Sequence, residues 1–175
     1  YGPKIDIKLK DALKRSWQCA TIQCDFALPK RFGLSYVDNE GKEKQPIMLH
    51  RVLLGSLERF IGALVEHYNA DFPLWLAPVQ MLIIPINSSV FEYAKKVKST
   101  LKAAGLRVDE DKSNETLNKR IRNAELNKIP YIIVIGDKES AAGTVAVRKK
   151  GQGNIGVMKL EDFMKQAKEE INNKQ

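Results

Sequence analysis

Three residues near the middle of the chain have types and spacing suited to a nucleotide. Gly55, Ser56 and Arg59 stand in the stretch HRVLLGSLERFIGALVEHY, residues 50–68. There Leu54, Leu57, Ile61, Leu64 and Tyr68 recur at the three- and four-residue steps of an amphipathic helix. Gly55 to Arg59 is i,i+4 and Ser56 to Arg59 is i,i+3, so a helix puts all three on one face near its first turns. A helix N-terminus offers free N–H groups and positive partial charge, and Gly55 leaves room for a flat ligand near the backbone. Arg59 adds a planar cation that stacks on a base or forks onto phosphate. The same spacing belongs to an ordinary core helix carrying a solvated arginine, and spacing alone leaves both readings open.

A second group lies upstream in QCATIQCDF, residues 18–26. Read as a strand with period 2, Cys19, Thr21 and Gln23 face one way and Ala20, Ile22 and Cys24 the other. A row of small polar groups lines a polar pocket or simply faces water. Cys19 and Cys24 are five apart, so their side chains point to opposite faces, which argues against a bond between them. Two free thiols suit a reducing, cytoplasmic setting. Zinc is not visible from spacing, because His50 and His67 are the only histidines and no CxxC or HxxxH occurs.

The elements that must carry these groups follow from the patterning. Ile5, Ile7 and Leu9 alternate with Lys4, Asp6, Lys8 and Lys10, which predicts a half-buried strand over 4–10. Further strands are expected over 19–26, 34–37 and 46–50, before the helix. Short antiparallel strands followed by one long helix suggest a mixed sheet cut off on one side. FPLWLAP, residues 72–78, is the expected boundary. Beyond it, strands at 79–86, 106–108, 131–135 and 144–148 alternate with helices at 93–104, 116–127 and 160–171. GQGNIG is read as a turn. Such alternation predicts βαβ units and a largely parallel sheet.

The chain has 175 residues, 43% of them hydrophobic, enough for one domain or two small ones. No apolar stretch is long enough for a membrane span, and no signal peptide is visible. The chain opens at Tyr-Gly-Pro without an initiator Met, so a fragment is expected. The net charge of +8 is uneven. Residues 1–77 carry 11 Lys and Arg against 9 Asp and Glu, and residues 78–175 carry 18 against 12. The excess on the second half suits an anionic partner, nucleic acid first, or a merely basic soluble domain.

HRVLLGSLERFIG, residues 50–62, resembles the third signature motif of class II aminoacyl-tRNA synthetases, in the form of the threonyl-tRNA synthetase family. YGPKIDI and WQCATIQCDF upstream and FPLWLAPVQ downstream fall in that family's order. The resemblance runs along essentially the whole chain. It implies an α/β fold, α+β overall: the end of an antiparallel-sheet catalytic domain over 1–75, then an α/β anticodon-binding domain with a mixed, largely parallel sheet over 76–175. It implies the C-terminal part of a cytoplasmic enzyme that is a homodimer when whole. That enzyme activates threonine with ATP and magnesium and transfers it to tRNA(Thr).

The same resemblance assigns roles. Tyr1, Lys4, Gln18, Cys19, Thr21 and Gln23 match the amino-acid and adenylate pocket. Gly55, Ser56 and Arg59 match the ATP site, with Arg59 the catalytic arginine. His50 matches one of three protein ligands to a zinc ion; the other two belong to a segment preceding Tyr1, so zinc is expected to bind this chain poorly. The first two class II motifs and the editing region are missing, so this piece alone is not expected to aminoacylate. Asn114, Glu139 and Arg148 match anticodon-contacting positions, with Glu139 and Arg148 at strand ends suited to the two edges of a guanine. Lys128 stands where bacterial relatives often carry Arg. Two alternatives remain: a non-catalytic tRNA- or RNA-binding module derived from such a synthetase, and a paralogous class II enzyme for another amino acid.

Overall fold

The computed structural model describes residues 2–174. Two compact units divide between Ala70 and Asp71. The first is built on an antiparallel sheet of β1 (Lys4–Lys10), β2 (Ser16–Asp25) and β5 (Met48–Val52), in the order β1-β2-β5. Asp11 closes the β1–β2 hairpin. Its buried carboxylate accepts from the backbone N–H of Arg15, from Arg15 Nε and from Trp17 Nε1 at 2.8, 2.6 and 2.8 Å. Asp25 ends β2 and starts a short helix, α1 (Ala27–Arg31), by accepting from the N–H groups of Ala27 and Leu28. A small hairpin of β3 (Tyr36–Val37) and β4 (Glu43–Lys44) turns at Gly41.

Helix α2 (Leu57–Tyr68) begins at Ser56, whose side chain accepts from the Arg59 N–H, and ends at Asn69 in the left-handed conformation. It is amphipathic yet buries no residue fully, and Ile5, Ile7, Leu49, Leu57 and Ile61 are all more than half exposed. This unit therefore carries a broad uncovered apolar surface, well beyond the scattered exposed apolar residues normal on a protein.

The second unit centres on a five-stranded sheet in the order β10-β9-β8-β6-β7. Its strands are β6 (Met81–Pro85), β7 (Val108–Glu110), β8 (Tyr131–Ile135), β9 (Thr144–Lys149) and β10 (Gly153–Lys159). β6 runs parallel to β7 and β8, while β9 and β10 add an antiparallel hairpin. The sheet is mixed and partly parallel, covered on both faces. Met81, Ile83, Tyr131, Ile133, Val145 and Val147 turn towards a core that takes Val97 and Leu101 of α3 (Phe91–Ala103) and Phe163 of α6 (Leu160–Asn172). Ile84 and Ile132 turn the other way, towards Ala124 of α4 (Leu117–Leu126). Burying each such aliphatic side chain contributes roughly 1.5–3 kcal/mol, so these two layers hold the unit. Gln80 and Arg107 fasten the incoming FPLWLAP segment by bonds to the carbonyls of Leu74, Trp75 and Ala77.

Two expectations for this unit change. Asp137–Ala142 forms a helix, α5, where only the end of a strand was expected, and the glycine-rich GQGNIG is the start of β10 rather than a turn alone. Among the described residues no helix is long and apolar enough to cross a membrane.

Candidate nucleotide and RNA sites

In the first unit the sheet register gathers polar side chains onto one face. Gln23 has Lys4 as its β1 partner and His50 as its β5 partner, and Asp6 pairs with Thr21. Directly paired residues share a face, so Lys4, Asp6, Thr21, Gln23 and His50 stand together. Gln18 joins them because of a bulge. Ile7 pairs with Ala20 and Lys8 with Gln18, so Cys19 is skipped and the alternation resets. Gln18 Nε2 then donates to Asp6 Oδ1 and Thr21 Oγ1 at 2.9 and 2.7 Å, Thr21 Oγ1 donates to the same Asp6 oxygen, and Lys4 Nζ sits 3.0 Å from Asp6 Oδ2. The hydrogen bonds from Lys4 and Thr21 hold the Asp6 carboxyl below its ordinary range.

That bulge corrects the period-2 grouping of Cys19 with Thr21 and Gln23. Cys19 is 6% exposed. It lies against Gly55, where a Cβ would meet the Cys19 carbonyl oxygen at 3.0 Å. The space beside Gly55 is thus taken by β2, and its φ of +70° adds a second reason for glycine. Gly55 also precedes α2 rather than lying on its face, because Ser56 is the cap.

Arg59 is not brought to the polar row. Its guanidinium lies 5.2 Å from the Trp17 ring centroid, with Arg15 over the same ring at 5.6 Å. Trp17 pairs with Leu9, on the opposite face from Gln18. Burial opposes ionisation of Asp11 behind it, but hydrogen bonds from Trp17 and Arg15 prevail and keep its carboxyl low. Ser56 is occupied too, donating to Glu58 at 2.7 Å. Tyr1 lies outside the described residues.

His50 faces a partner that sequence reasoning missed. Asp25 is fully buried, and its Oδ2 is 3.0 Å from His50 Nε2. The hydrogen bond from His50, with those of the Leu28 and Ala27 N–H groups, lowers the Asp25 carboxyl despite burial. A carboxylate only accepts, so Nε2 is the nitrogen that donates here. A histidine fixed by a carboxylate suits a metal ligand. Among the described residues no group of three or more His, Cys, Asp or Glu could hold a metal ion. The signal available in the sequence was the parity of Asp25 with Gln23.

In the second unit the strand ends form a cavity of about 470 Å³ at the C-terminal edge of β6 and β7. Arg120 builds its floor. It is 7% exposed and donates from Nε and Nη2 to the Asp111 side chain and carbonyl, and from Nη1 to the Pro85 carbonyl, at 2.8, 2.9 and 2.7 Å. Burial works against ionised Asp111, but hydrogen bonds from Ser113 and Arg120 leave its carboxyl lowered. Asn114 lines the cavity. Glu139, in the first turn of α5, accepts from the Gly136 N–H at 2.9 Å through Oε2. Neither Arg120 nor Phe91, which also lines the cavity, was singled out from sequence.

Arg148 and Glu139 are not brought to one point. β9 runs antiparallel to β8, so Arg148 pairs with Ile132 near the start of β8, whereas Glu139 follows its end. Being at the end of its own strand therefore puts Arg148 beside the beginning of the neighbour. Its Nη2 lies 3.4 Å from Glu125 Oε1 on α4, and its buried Nε has no hydrogen-bond partner among the described residues. Lys128 takes a left-handed conformation just past α4, with φ of +56°.

With a β-α sheet whose strand ends form a cavity, the chain belongs to the anticodon binding domain family, which it matches over residues 80–170. Residues 1–68 match the tRNA synthetase class II core domain (G, H, P, S and T). The particular relatives are threonine–tRNA ligases. That of Syntrophotalea carbinolica is 56% identical over 97% of this chain and 27% of its own length. That of Thermus thermophilus is 53% identical over 95% of this chain and 25% of its own. The chain thus spans about a quarter of the length of these curated relatives. The crystal structure of the RNA binding domain of threonyl-tRNA synthetase from Cryptosporidium parvum Iowa II superposes with a TM-score of 0.84 and 39% identity. It covers 97% of this chain and 43% of that one.

Proposed function

We propose that this chain is the C-terminal part of a cytoplasmic threonine–tRNA ligase, homodimeric when whole, that joins threonine to tRNA(Thr) with ATP and Mg²⁺. The observation that carries the reading is the uninterrupted likeness to threonine–tRNA ligases across both matched regions. The uncovered apolar surface of the first unit supports it, since such a surface belongs to a larger domain.

In this reading Lys4, Gln18, Thr21 and Gln23 present hydrogen-bonding groups to threonine and its adenylate, and the family likeness assigns Tyr1 to the same pocket. Asp6, already bonded to three of these neighbours or their partners, holds the row in register. Cys19 supports that pocket from beneath through its backbone contact with Gly55 rather than by nucleophilic attack. Adenylate formation draws on positioning and charge stabilisation. Ser56 caps α2 and aims its first turn at ATP, with Gly55 before it. Arg59 swings from Trp17 onto the nucleotide and stabilises charge developing at the α-phosphate. His50 would hold Zn²⁺ through Nδ1, with further ligands outside this chain; bound zinc is a Lewis acid that takes the amino and hydroxyl groups of threonine and so rejects valine. Asp25 keeps the His50 ring in the required tautomer.

The second unit reads the anticodon loop. Unpaired bases are read on their edges and by stacking, while cations hold phosphates. Glu139 keeps Oε1 for a base N–H, Asn114 offers an amide, and Arg148 and Lys128 supply cations. Exchanging the Glu125 contact for a base or phosphate would also satisfy Arg148 Nε. The test is binding of a threonine anticodon stem-loop by this chain and by Glu139→Gln. Loss of affinity in the variant supports the reading, and absence of binding by the unaltered chain refutes it.

A further inference from the structure

The cavity at the C-terminal edge of β6 and β7 contains an exposed aromatic ring. Phe91, the first residue of α3, is 45% exposed and lines it. Single exposed apolar side chains are common and need no explanation. This one shares its cavity with groups that do.

The first is Asn114, whose amide makes no hydrogen bond among the described residues, so it presents both a donor and an acceptor. By contrast the nearby Asn87 amide is committed, donating to Asp137 and accepting from Ser89. The second is Lys112. The two carboxylates on the wall are already paired, Asp111 with Arg120 and Glu115 with Lys119, at 2.8 Å each. Lys112 has no ion pair among the described residues, so of the four charged side chains that line the cavity it is the one without a counter-charge. The third is rigidity. Arg120 ties Asp111 to the Pro85 carbonyl, and Asp111 Oδ1 accepts from the Ser113 N–H at 2.8 Å, which fixes the turn leading into Asn114.

An apolar ring face, a free amide and one spare cation, on a fixed frame of about 470 Å³, are the parts that recognise one nucleotide. The volume lies in the ordinary range for small-ligand pockets, roughly 300–1,000 Å³. Bases splayed from single-stranded loops stack on aromatic rings while their edges are read by amides and their phosphates are held by cations. We infer that Phe91 is a base-stacking platform: an unpaired nucleobase of the bound RNA loop lies on its ring, with its edge on Asn114 and its phosphate near Lys112. The inference rests on the second unit's binding an anticodon loop and adds a binding residue to it.

The test uses the whole chain and a fluorescein-labelled threonine anticodon stem-loop. Phe91→Ala should weaken binding roughly tenfold, the size of one lost base–aromatic stack. Phe91→Trp should retain affinity, and its new indole fluorescence should be quenched on titration with unlabelled stem-loop beyond any change in the parent chain. Thermal melting of each variant checks that the fold survives, which the partial exposure of Phe91 predicts. Arg148→Ala run alongside separates two kinds of failure. If Arg148→Ala weakens binding and Phe91→Ala does not, or the introduced indole is not quenched, the stacking role is overturned and the RNA reading stands. If the unaltered chain binds no stem-loop at all, the RNA reading fails and the inference with it.

Discussion

Asp25 Oδ2 lies 3.0 Å from His50 Nε2, joining the last residue of β2 to the middle of β5. The other carboxylate oxygen holds the first N–H groups of α1. One buried side chain therefore fixes a strand, a helix start and the orientation of an imidazole.

The acid stability of the first unit should depend on this group. The Asp25 carboxyl is lowered from its ordinary value of 3.8, first by the hydrogen bond from His50. A lowered folded-state pKa contributes stability that is fully present above 3.8 and lost as pH falls through the lowered value. Protection of the Ala27 and Leu28 amides, measured relative to their intrinsic exchange rate at each pH, should fall over that acid range in the parent chain. In Asp25→Ala that protection should be low already at neutral pH and should change little with pH.

Gly55→Ala should destabilise the entry to α2. Its φ of +70° costs a residue with a side chain roughly 1–2 kcal/mol, and the added methyl meets the Cys19 carbonyl at 3.0 Å. A lowered urea midpoint, with the loss of amide protection centred on residues 55–60, is the expected result. Gly62→Ala serves as control, because a Cβ there meets nothing within 4 Å.

Arg120→Met should cost the second unit about 3 kcal/mol, since it leaves Asp111 and the Pro85 carbonyl without their buried partner. Chemical denaturation gives the magnitude. Replacing Asp111 as well, by Asn, should recover part of the loss, because the stranded charge is then removed.

Arg148→Ala should weaken binding of a threonine anticodon stem-loop by roughly 1–3 kcal/mol, the range for one lost bidentate base contact. Glu125→Gln should leave binding unchanged or tighten it, because it frees the Arg148 guanidinium from its 3.4 Å ion pair. Titration of both variants under one salt condition checks the pair.

Much of the second unit was legible because its signals are long or chemically sharp. The apolar run over 79–86 and the YIIVI run are typical of covered strands, and strands form over Met81–Pro85 and Tyr131–Ile135. Helix α5 escaped notice because six residues are too few to show a 3.6-residue period. β10 was hidden by Gly151, Gly153 and Gly156, all at positive φ, which read as turn residues although the strand pairs with β9 through a bulge. In the first unit the polar row was visible, but its membership was not. The bulge at Cys19 exchanges Cys19 for Gln18, and a bulge is set by pairing across strands rather than by the residues of one strand. Glu139 and Arg148 were visible as strand-end residues, yet only the antiparallel sense of β9 reveals that the two ends lie apart.

The most direct test of the account is the affinity of this chain for two anticodon stem-loops, threonine's own and one with its central guanine replaced by adenine, at low and at physiological salt. The positive excess over residues 78–175 predicts that both bind more weakly as salt rises. Threonine's loop should keep an advantage of at least tenfold at both salts, because base contacts survive screening. Equal affinities that fall together with salt would contradict it, leaving a basic surface that holds RNA without reading it.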